Sequence, residues 1–342
     1  MSTTPPTDSE YCEIIAEAGI NHNGELALAK KLVDEAVEAG ADVVKFQTFD
    51  PNEVVTEATE KAEYQKRSGS GGQYEMLSSV VLDREDHETL VEYCEERCIE
   101  FMSTPYDSDS VSILESLGVE RYKIASADIV NKPLLEAVAE TGKPIILSTG
   151  MATLGEIERA VDFLREEGCD DLTLLHCVSC YPAEPEQVNM RFIETLRSAF
   201  GAPVGFSDHT LGTDISVMAA SRGASTVEKH FTLDREMDGP DHFASLEPDQ
   251  LTELVEGVRA VTSAMGGTAR ELSAEERENI GSMRRSLHFR RSMEKGEQLD
   301  IEDVKVVRPF EGVDPWEIDD VVNRTLVHDI DTNDPVTWDD LE

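Results

Sequence analysis

The chain has 342 residues, 39% of them hydrophobic, and sets 71 Asp and Glu against 30 Lys and Arg for a formal net charge of −41. That length holds a barrel of roughly 250 residues plus a small module. It contains no apolar run of about 18 residues to span a membrane, and so acidic a chain lacks the basic patches a nucleic-acid partner requires. The acidic residues are spread along the chain, as in "EATEKAEY", "LREEGCDD" and "EIDDVVN". Such a surface stays soluble in strong salt, where screening shortens self-repulsion. A halophilic cytoplasm is the expected setting, because the opening "MSTTPPTDSEYCEI" has neither the basic nor the apolar region of a secretory signal.

In chain order, short β-branched runs alternate with amphipathic stretches. The predicted strands are "CEIIAEAG" (12–19), "DVVKFQTF" (42–49), "IEFMSTPY" (99–106) and "RYKIASAD" (121–128), then "PIILSTG" (144–150), "LTLLHCVS" (172–179), "PVGFSDHT" (203–210) and "STVEKHFT" (225–232). Helices are predicted between and after them at 26–40, 87–98, 155–168, 214–224 and 247–267. The strands are apolar at their starts, as parallel strands covered on both faces are. Eight such units predict an α/β fold, a (β/α)8 TIM barrel. A doubly wound open sheet would show a glycine-rich phosphate turn after its first strand, and the turn here is "GINHNG". The expected boundaries are a barrel over 10–267, a linker over 268–285 and a small β-rich domain over 286–342. In that last domain "EKGEQLDIEDV" and "DTNDPVTWDDL" read as two copies of one β-turn-strand phrase.

Polar residues gather in the carboxyl-terminal halves of the strands: Glu17; Lys45 and Gln47; Ser103 and Thr104; Lys123, Ser126 and Asp128; Ser148 and Thr149; Ser207, Asp208 and His209; Glu228 and His230. Strand six adds His176, with Ser179 and Tyr181 just beyond. Barrel enzymes build their sites at that end. Lysine is scarce, 11 against 19 arginines, so Lys45 and Lys123 inside apolar runs stand out. Buried lysine is costly unless paired. With the hydroxyls of Ser103, Thr104, Ser126, Ser148 and Ser207 they predict a small basic pocket for a phosphate or carboxylate. A Schiff-base lysine of an aldolase is the rival reading. Residues two apart on a strand share a face, so Glu228 and His230 point together, with His209 as lateral neighbour and Lys229 directed outward. Each histidine alone is a hydrogen-bonding residue; two imidazoles with a carboxylate on adjacent strands suit a divalent metal with open positions. Cys177-x-x-Cys180 lacks a second such pair and reads as small core-side residues.

The stretches "AEAGINHNG", "GADVVKFQTF", "FMSTPYD", "YKIASADI", "GKPIILSTGM", "LLHCVSCYP", "GFSDHT", "VEKHFTLD" and "GPDHFAS" together resemble the sialic acid synthase family, which includes synthases of legionaminic and pseudaminic acid. The resemblance implies a transferase that condenses phosphoenolpyruvate with an N-acylated amino-hexose such as N-acetylmannosamine and releases phosphate. By position it implies His209 and His230 as metal ligands, with manganese the usual ion and magnesium or cobalt as alternatives. Glu17 and Glu228 match acidic residues near the sugar and the metal. Lys45, Lys123, Ser126, Ser148 and Ser207 match phosphoenolpyruvate contacts, while Gln47, Tyr181 and Asp241 match the sugar side. The carboxyl-terminal domain resembles the antifreeze-like (SAF) domain of these synthases, which implies a domain-swapped homodimer and a sugar contact from Arg308. The chain departs from the pattern at Ser179, where asparagine is usual, at Asp128, where glutamate is common, and in "MRRSLHF", which leaves the amino sugar open. A carbohydrate-binding protein without catalysis is the reading from a different class.

Overall fold

A computed structural model describes residues 11–61, 71–267 and 269–342. The amino-terminal ten residues read for a targeting signal, and position 268 where the linker was expected to begin, lie outside the described residues. The chain divides into two compact units, 1–266 and 267–342.

The first unit carries eight parallel strands: β1 Glu13–Gly19, β2 Val43–Thr48, β3 Glu100–Pro105, β4 Tyr122–Ile124, β5 Ile145–Ser148, β6 Leu172–Cys177, β7 Val204–Asp208 and β8 Thr226–His230. Their hydrogen-bonded order is β3-β2-β1-β8-β7-β6-β5-β4, and the two end strands pack side by side to close a TIM-like ring. Among the described residues eight helices of eight or more residues surround it: α1 Leu26–Ala39, α2 Arg84–Arg97, α3 Ser108–Ser116, α4 Lys132–Ala139, α5 Leu154–Glu166, α6 Phe192–Phe200, α7 Asp214–Ser221 and α8 Pro248–Met265. Their boundaries follow from local chemistry. Asp83 and Thr153 start α2 and α5 with reciprocal capping boxes. Gly40 ends α1 at φ 80°, where a side chain would be strained.

Alternation along the strands sorts side chains into two layers. Ile15, Val43, Met102, Ile146 and Leu175 fill the barrel axis, while Ile14, Val44, Phe46, Phe101 and Leu174 pack outward against the helices. At the base of the barrel Arg121 forks between Glu13 and Glu100, with Nε 2.8 Å from one Glu100 oxygen. Seven of the eight expected strands end earlier in the structure, β2 and β3 by one residue and β7 and β8, at Asp208 and His230, by two. β4 stops after three residues, and Ser126–Val130 forms a 3-10 turn instead of extending it. β5 ends at Ser148, and β6 at Cys177.

In the second unit a two-stranded antiparallel sheet, β9 Ser286–Phe289 with β10 Val304–Val307, packs over Leu287, Phe289, Met293, Leu299, Leu326 and Val336. Ahead of it the expected linker contains a helix, α9 Ala274–Met283, which buries none of its residues. The two phrases seen in the sequence adopt one conformation. Each passes from a turn residue at positive φ, Gly296 or Asn333, through a bridge residue, Gln298 or Pro335, into a capped 3-10 turn, Ile301–Asp303 or Trp338–Asp340. The repeat is therefore a turn, a bridge and a 3-10 turn rather than a full second hairpin.

Candidate active site

Four charged residues meet inside the carboxyl-terminal mouth of the barrel, brought there by register. Glu17 pairs laterally with Lys45 on β2 and with His230 on β8, and Ser207 lies level with Glu228. Lys45 Nζ is 2.7 Å from Glu17 and 3.5 Å from Glu228, and it donates to Thr104 Oγ1 at 3.0 Å. Lys123 Nζ lies 3.6 Å from Glu228, which also accepts from the Ser207 hydroxyl at 2.9 Å. Gln47 Nε2 donates to Glu17 at 3.1 Å. All four charged groups are buried. Two expectations change here. Each lysine faces carboxylates, so the pocket is charge-balanced rather than basic. Glu228, expected on the metal side with His230, also stands between the two lysines.

Burial and pairing separate the protonation states. Burial would raise both carboxyls, but Lys123 and Lys45 hold Glu228 down at about 2. Glu17 moves the other way, raised by burial and by the charge of Glu228 despite Lys45. Burial lowers Lys123, whereas Glu17 and Glu228 outweigh it for Lys45 and raise that amine. Glu17 is thus the carboxyl best placed to hold and release a proton.

Beside this cluster the rings of His209 and His230 are 5.6 Å apart, and the Tyr181 ring lies tilted 4.2 Å from that of His209. Both imidazoles are held neutral by burial. His209 Nδ1 donates to the Val178 carbonyl at 2.7 Å, which leaves Nε2 as its lone-pair nitrogen. His230 Nδ1 is buried without a hydrogen-bond partner. A neutral imidazole with a fixed tautomer and another with an orphaned nitrogen suit metal ligation. Among the described residues no three His, Cys, Asp or Glu side chains come together for it, so such an ion would take its remaining ligands from water or substrate. A cavity of about 10 Å³, near the size of one water, lies between these rings and Asp241. Burial, with the charge of Glu17, raises Asp241 to about 7.

The third side of the mouth is lined by hydroxyls. Ser148 Oγ is buried and unbonded. Ser126 Oγ accepts from Gly150 N at 2.9 Å and lies 3.0 Å from Cys177 Sγ. A Cβ on Gly150 would lie 2.5 Å from Ser179 Oγ and 2.8 Å from Cys177 Sγ, so only glycine fits. Gly19 is also constrained: its φ is 55°, and a Cβ there would crowd Glu17, Gln47 and His230.

Several sequence-predicted residues lie elsewhere. Ser103 points outward, 2.7 Å from Thr48 Oγ1, which bonds His87 at 2.8 Å. Consecutive polar positions cannot both face the axis, and Thr104 takes the inward one. His176 bonds the Val188 carbonyl behind the sheet, and Asp208 binds Lys229 there at 2.9 Å. Asp128 sits in the 3-10 turn, receiving a bond from Asn131. Cys177, expected as a core residue, faces the mouth instead, because it shares phase with inward Leu175. Arg308 is exposed, directly after β10. Sequence reading missed Gly19 and Gly150, whose signal is a glycine at the end of a polar strand.

The NeuB family model matches residues 32–270, and the SAF domain model matches residues 284–342. The N,N'-diacetyllegionaminic acid synthase of Legionella pneumophila is 43% identical over 344 residues, covering 99% of this chain and 97% of its own. The pseudaminic acid synthase of Helicobacter pylori is 33% identical over 332 residues, covering 96% and 98%. Among solved structures, the N-acetylneuraminic acid synthetase of Leptospira borgpetersenii in complex with citrate is similar at TM-score 0.71 and 36% identity, over 79% of this chain and 91% of that one. With its charged barrel mouth and its carboxyl-terminal SAF domain, this chain belongs to the NeuB family of sialic acid-type synthases.

Proposed function

We propose that this enzyme condenses phosphoenolpyruvate with an N-acylated amino-hexose to a nonulosonic acid, releasing phosphate by C–O cleavage. The observation that carries the reading is the balanced Glu17–Lys45–Glu228–Lys123 cluster beside two neutral imidazoles. Lys45 and Lys123 hold the carboxylate and phosphate of phosphoenolpyruvate, with Ser126, Ser148 and Ser207 as hydroxyl partners. His209 and His230 would hold a divalent cation, manganese with magnesium or cobalt as alternatives, which polarises the acceptor aldehyde when bound. C3 of phosphoenolpyruvate bonds to the aldehyde carbon, and the aldehyde oxygen takes the proton of Glu17. Water adds at C2 and returns a proton to Glu17. The C2–O bond to phosphate then breaks, the C2 hydroxyl proton leaves with the departing phosphate oxygen, and the 2-keto acid remains. Glu228, held ionised, supports the positive charge that develops at C2.

The first acceptor to consider is N-acetylmannosamine, which makes the chain an N-acetylneuraminate synthase. A specific observation supports a second: the 43% identity to a relative whose product name carries two N-acetyl groups, against 33% to a pseudaminic acid synthase. A di-N-acetylated hexose as acceptor fits that relative. Gln47, Tyr181 and Asp241 form the acceptor side. Arg308 is assigned to the acceptor of another subunit in a swapped homodimer. Loss of phosphate release without loss of barrel folding on removal of residues 286–342 would support that assignment.

The test is a phosphate-release panel of mono- and di-N-acetylated amino-hexoses with phosphoenolpyruvate and Mn2+ in molar KCl, the salt suited to a halophilic cytoplasm. Release with one acceptor class is the expected result, and sugar binding without release from any would overturn the reading. Burial lowers the Lys123 amine, which favours a Schiff-base aldolase. Borohydride trapping of Lys123 with pyruvate, with activity retained in EDTA, would establish that alternative.

A further inference from the structure

The loop after β1, "GINHNG", has no part in the chemistry above, yet its side chains reach more than 200 residues along the chain. Asn21 is fully buried. Its amide donates to the carbonyl of Phe231, the first residue beyond β8, at 2.7 Å and to Ser245 Oγ at 3.0 Å. It therefore brackets both ends of the loop that follows β8. Asn23 takes hold of the middle. Its amide donates to the Asp238 carbonyl at 2.9 Å, and its Oδ1 accepts from His242 Nε2 at 3.2 Å. The other His242 nitrogen lies 2.6 Å from Thr232 Oγ1, so the ring links Asn23 to the loop's first turn. Backbone bonds from Thr232 N to Leu246 O and from Leu246 N to His230 O close the base. Asp241 is carried on this loop and lines the cavity with Tyr181, His209 and His230.

We infer that Asn21 and Asn23 are positioning residues for the acceptor sugar: they clamp the β8 loop so that Asp241 stands over the two imidazoles. The lysine side of the mouth takes no side chain from this loop: Lys45, Lys123 and Ser148 come from β2, β4 and β5. Loosening the clamp therefore separates the two substrates. The inference rests on the proposed acceptor role of Asp241.

The variant to make is Asn23→Gly. It deletes both contacts and keeps a residue that accepts the left-handed backbone at φ 51°. The expected result is a rise of about tenfold in the acceptor KM. The KM of phosphoenolpyruvate and the Mn2+ affinity measured by calorimetry should stay unchanged, and hydrogen exchange of the 232–246 amides should quicken. Asn21→Ala should act in the same sense and more strongly, and Asn23→Gly decides the matter should that buried variant not fold. Faster exchange with an unchanged acceptor KM would overturn the clamp, as would equal losses for both substrates. Asp241→Asn tests the reading beneath it. An acceptor KM raised by Asp241→Asn but not by Asn23→Gly sinks the clamp alone. A change confined to phosphoenolpyruvate in Asp241→Asn sinks the acceptor assignment itself.

Discussion

The two faces of the same strand ends treat buried charge in opposite ways. On the outer face of β7 and β8, Lys229 and Asp208 are each 1% exposed and fully engaged. Asp208 accepts from Lys229, from Ser216 Oγ at 2.6 Å and from Thr210 N at 2.8 Å, and Lys229 also reaches the Thr210 carbonyl. On the inner face, one residue along, Glu228 lies 3.5 Å from Lys45, which it shares with Glu17, and 3.6 Å from Lys123, and its Oε2 makes no hydrogen bond. Burial is the same on both faces; satisfaction differs. A buried charge with every partner in place specifies structure, whereas one left short of partners has capacity for a ligand. The largest effect expected from this contrast is in Glu228→Gln. Turnover should fall about 100- to 1000-fold, with a loss of stability smaller than that of the outer-face change below, because Lys45 keeps Glu17 and burial lets Lys123 shed its proton. A loss of stability as large as that of the outer-face change would place Glu228 with the structural charges.

The matching change on the outer face should do the reverse. Lys229→Met leaves the Asp208 carboxylate buried without its cation, and unfolding in urea should show a loss of about 3–5 kcal/mol. Adding Asp208→Asn removes that stranded charge, keeps an amide oxygen for Thr210 N and turns its NH2 towards Ser216 Oγ, which then accepts, so the double variant should recover more than half of the loss. Strict additivity of the two changes would show that the pair is not coupled and would break the contrast.

Much of this was legible in the sequence, for a definite reason. The period of two placed Glu17, Lys45, Gln47, Lys123, Glu228 and His230 on the inward phase and Lys229 on the outward one, because each lies in or ends a continuous strand. It misassigned Ser103 because Thr104 follows directly and composition cannot say which of two adjacent polar residues takes the axis. It extended strand four through Ser126 and Asp128 because a 3-10 turn after Ile124 carries the same polar residues as a strand end. The pairing of Lys45 with Glu17 was hidden because it depends on the lateral register of β1 with β2, and that of Lys123 with Glu228 because β4 and β8 meet only across the closed barrel. The asparagine clamp was hidden for the same reason: its partners are separated by more than 200 residues and meet only when the ring closes.

Salt separates the surface from the interior. A net charge of −41 repels itself at low ionic strength, so the melting temperature should rise between 0.1 M and molar KCl. The size is about 2–4 °C for each kcal/mol of repulsion screened. The Lys229–Asp208 coupling, sealed from solvent, should be equal at both salt concentrations. A coupling that shrinks with salt would mean that the outer face is wet, and would reduce the distinction between the two faces to one of degree.

The smallest effect concerns His87, which anchors the outer-face hydroxyl chain. Its Nδ1 donates to the Asp83 carbonyl at 2.8 Å, so Nε2 is the acceptor for the Thr48 hydroxyl, and Ser103 bonds Thr48 in turn. Burial holds the imidazole below its usual range despite nearby Asp86 and Asp83. The folded state therefore keeps His87 neutral while the unfolded chain takes up a proton below about pH 6.5. The unfolded state then binds more protons, so this contribution is complete above that pH and is lost as the pH falls. The slope it supplies is at most about 1.4 kcal/mol per pH unit for one proton. His87→Gln should flatten the wild-type loss of stability between about pH 6.5 and 5 by up to that amount, with turnover at neutral pH unchanged. An identical slope in the variant would mean that the ring is already charged in the fold. Thr48 would then have to turn its hydroxyl away, and the chain through Ser103 would be as incompletely satisfied as the inner face.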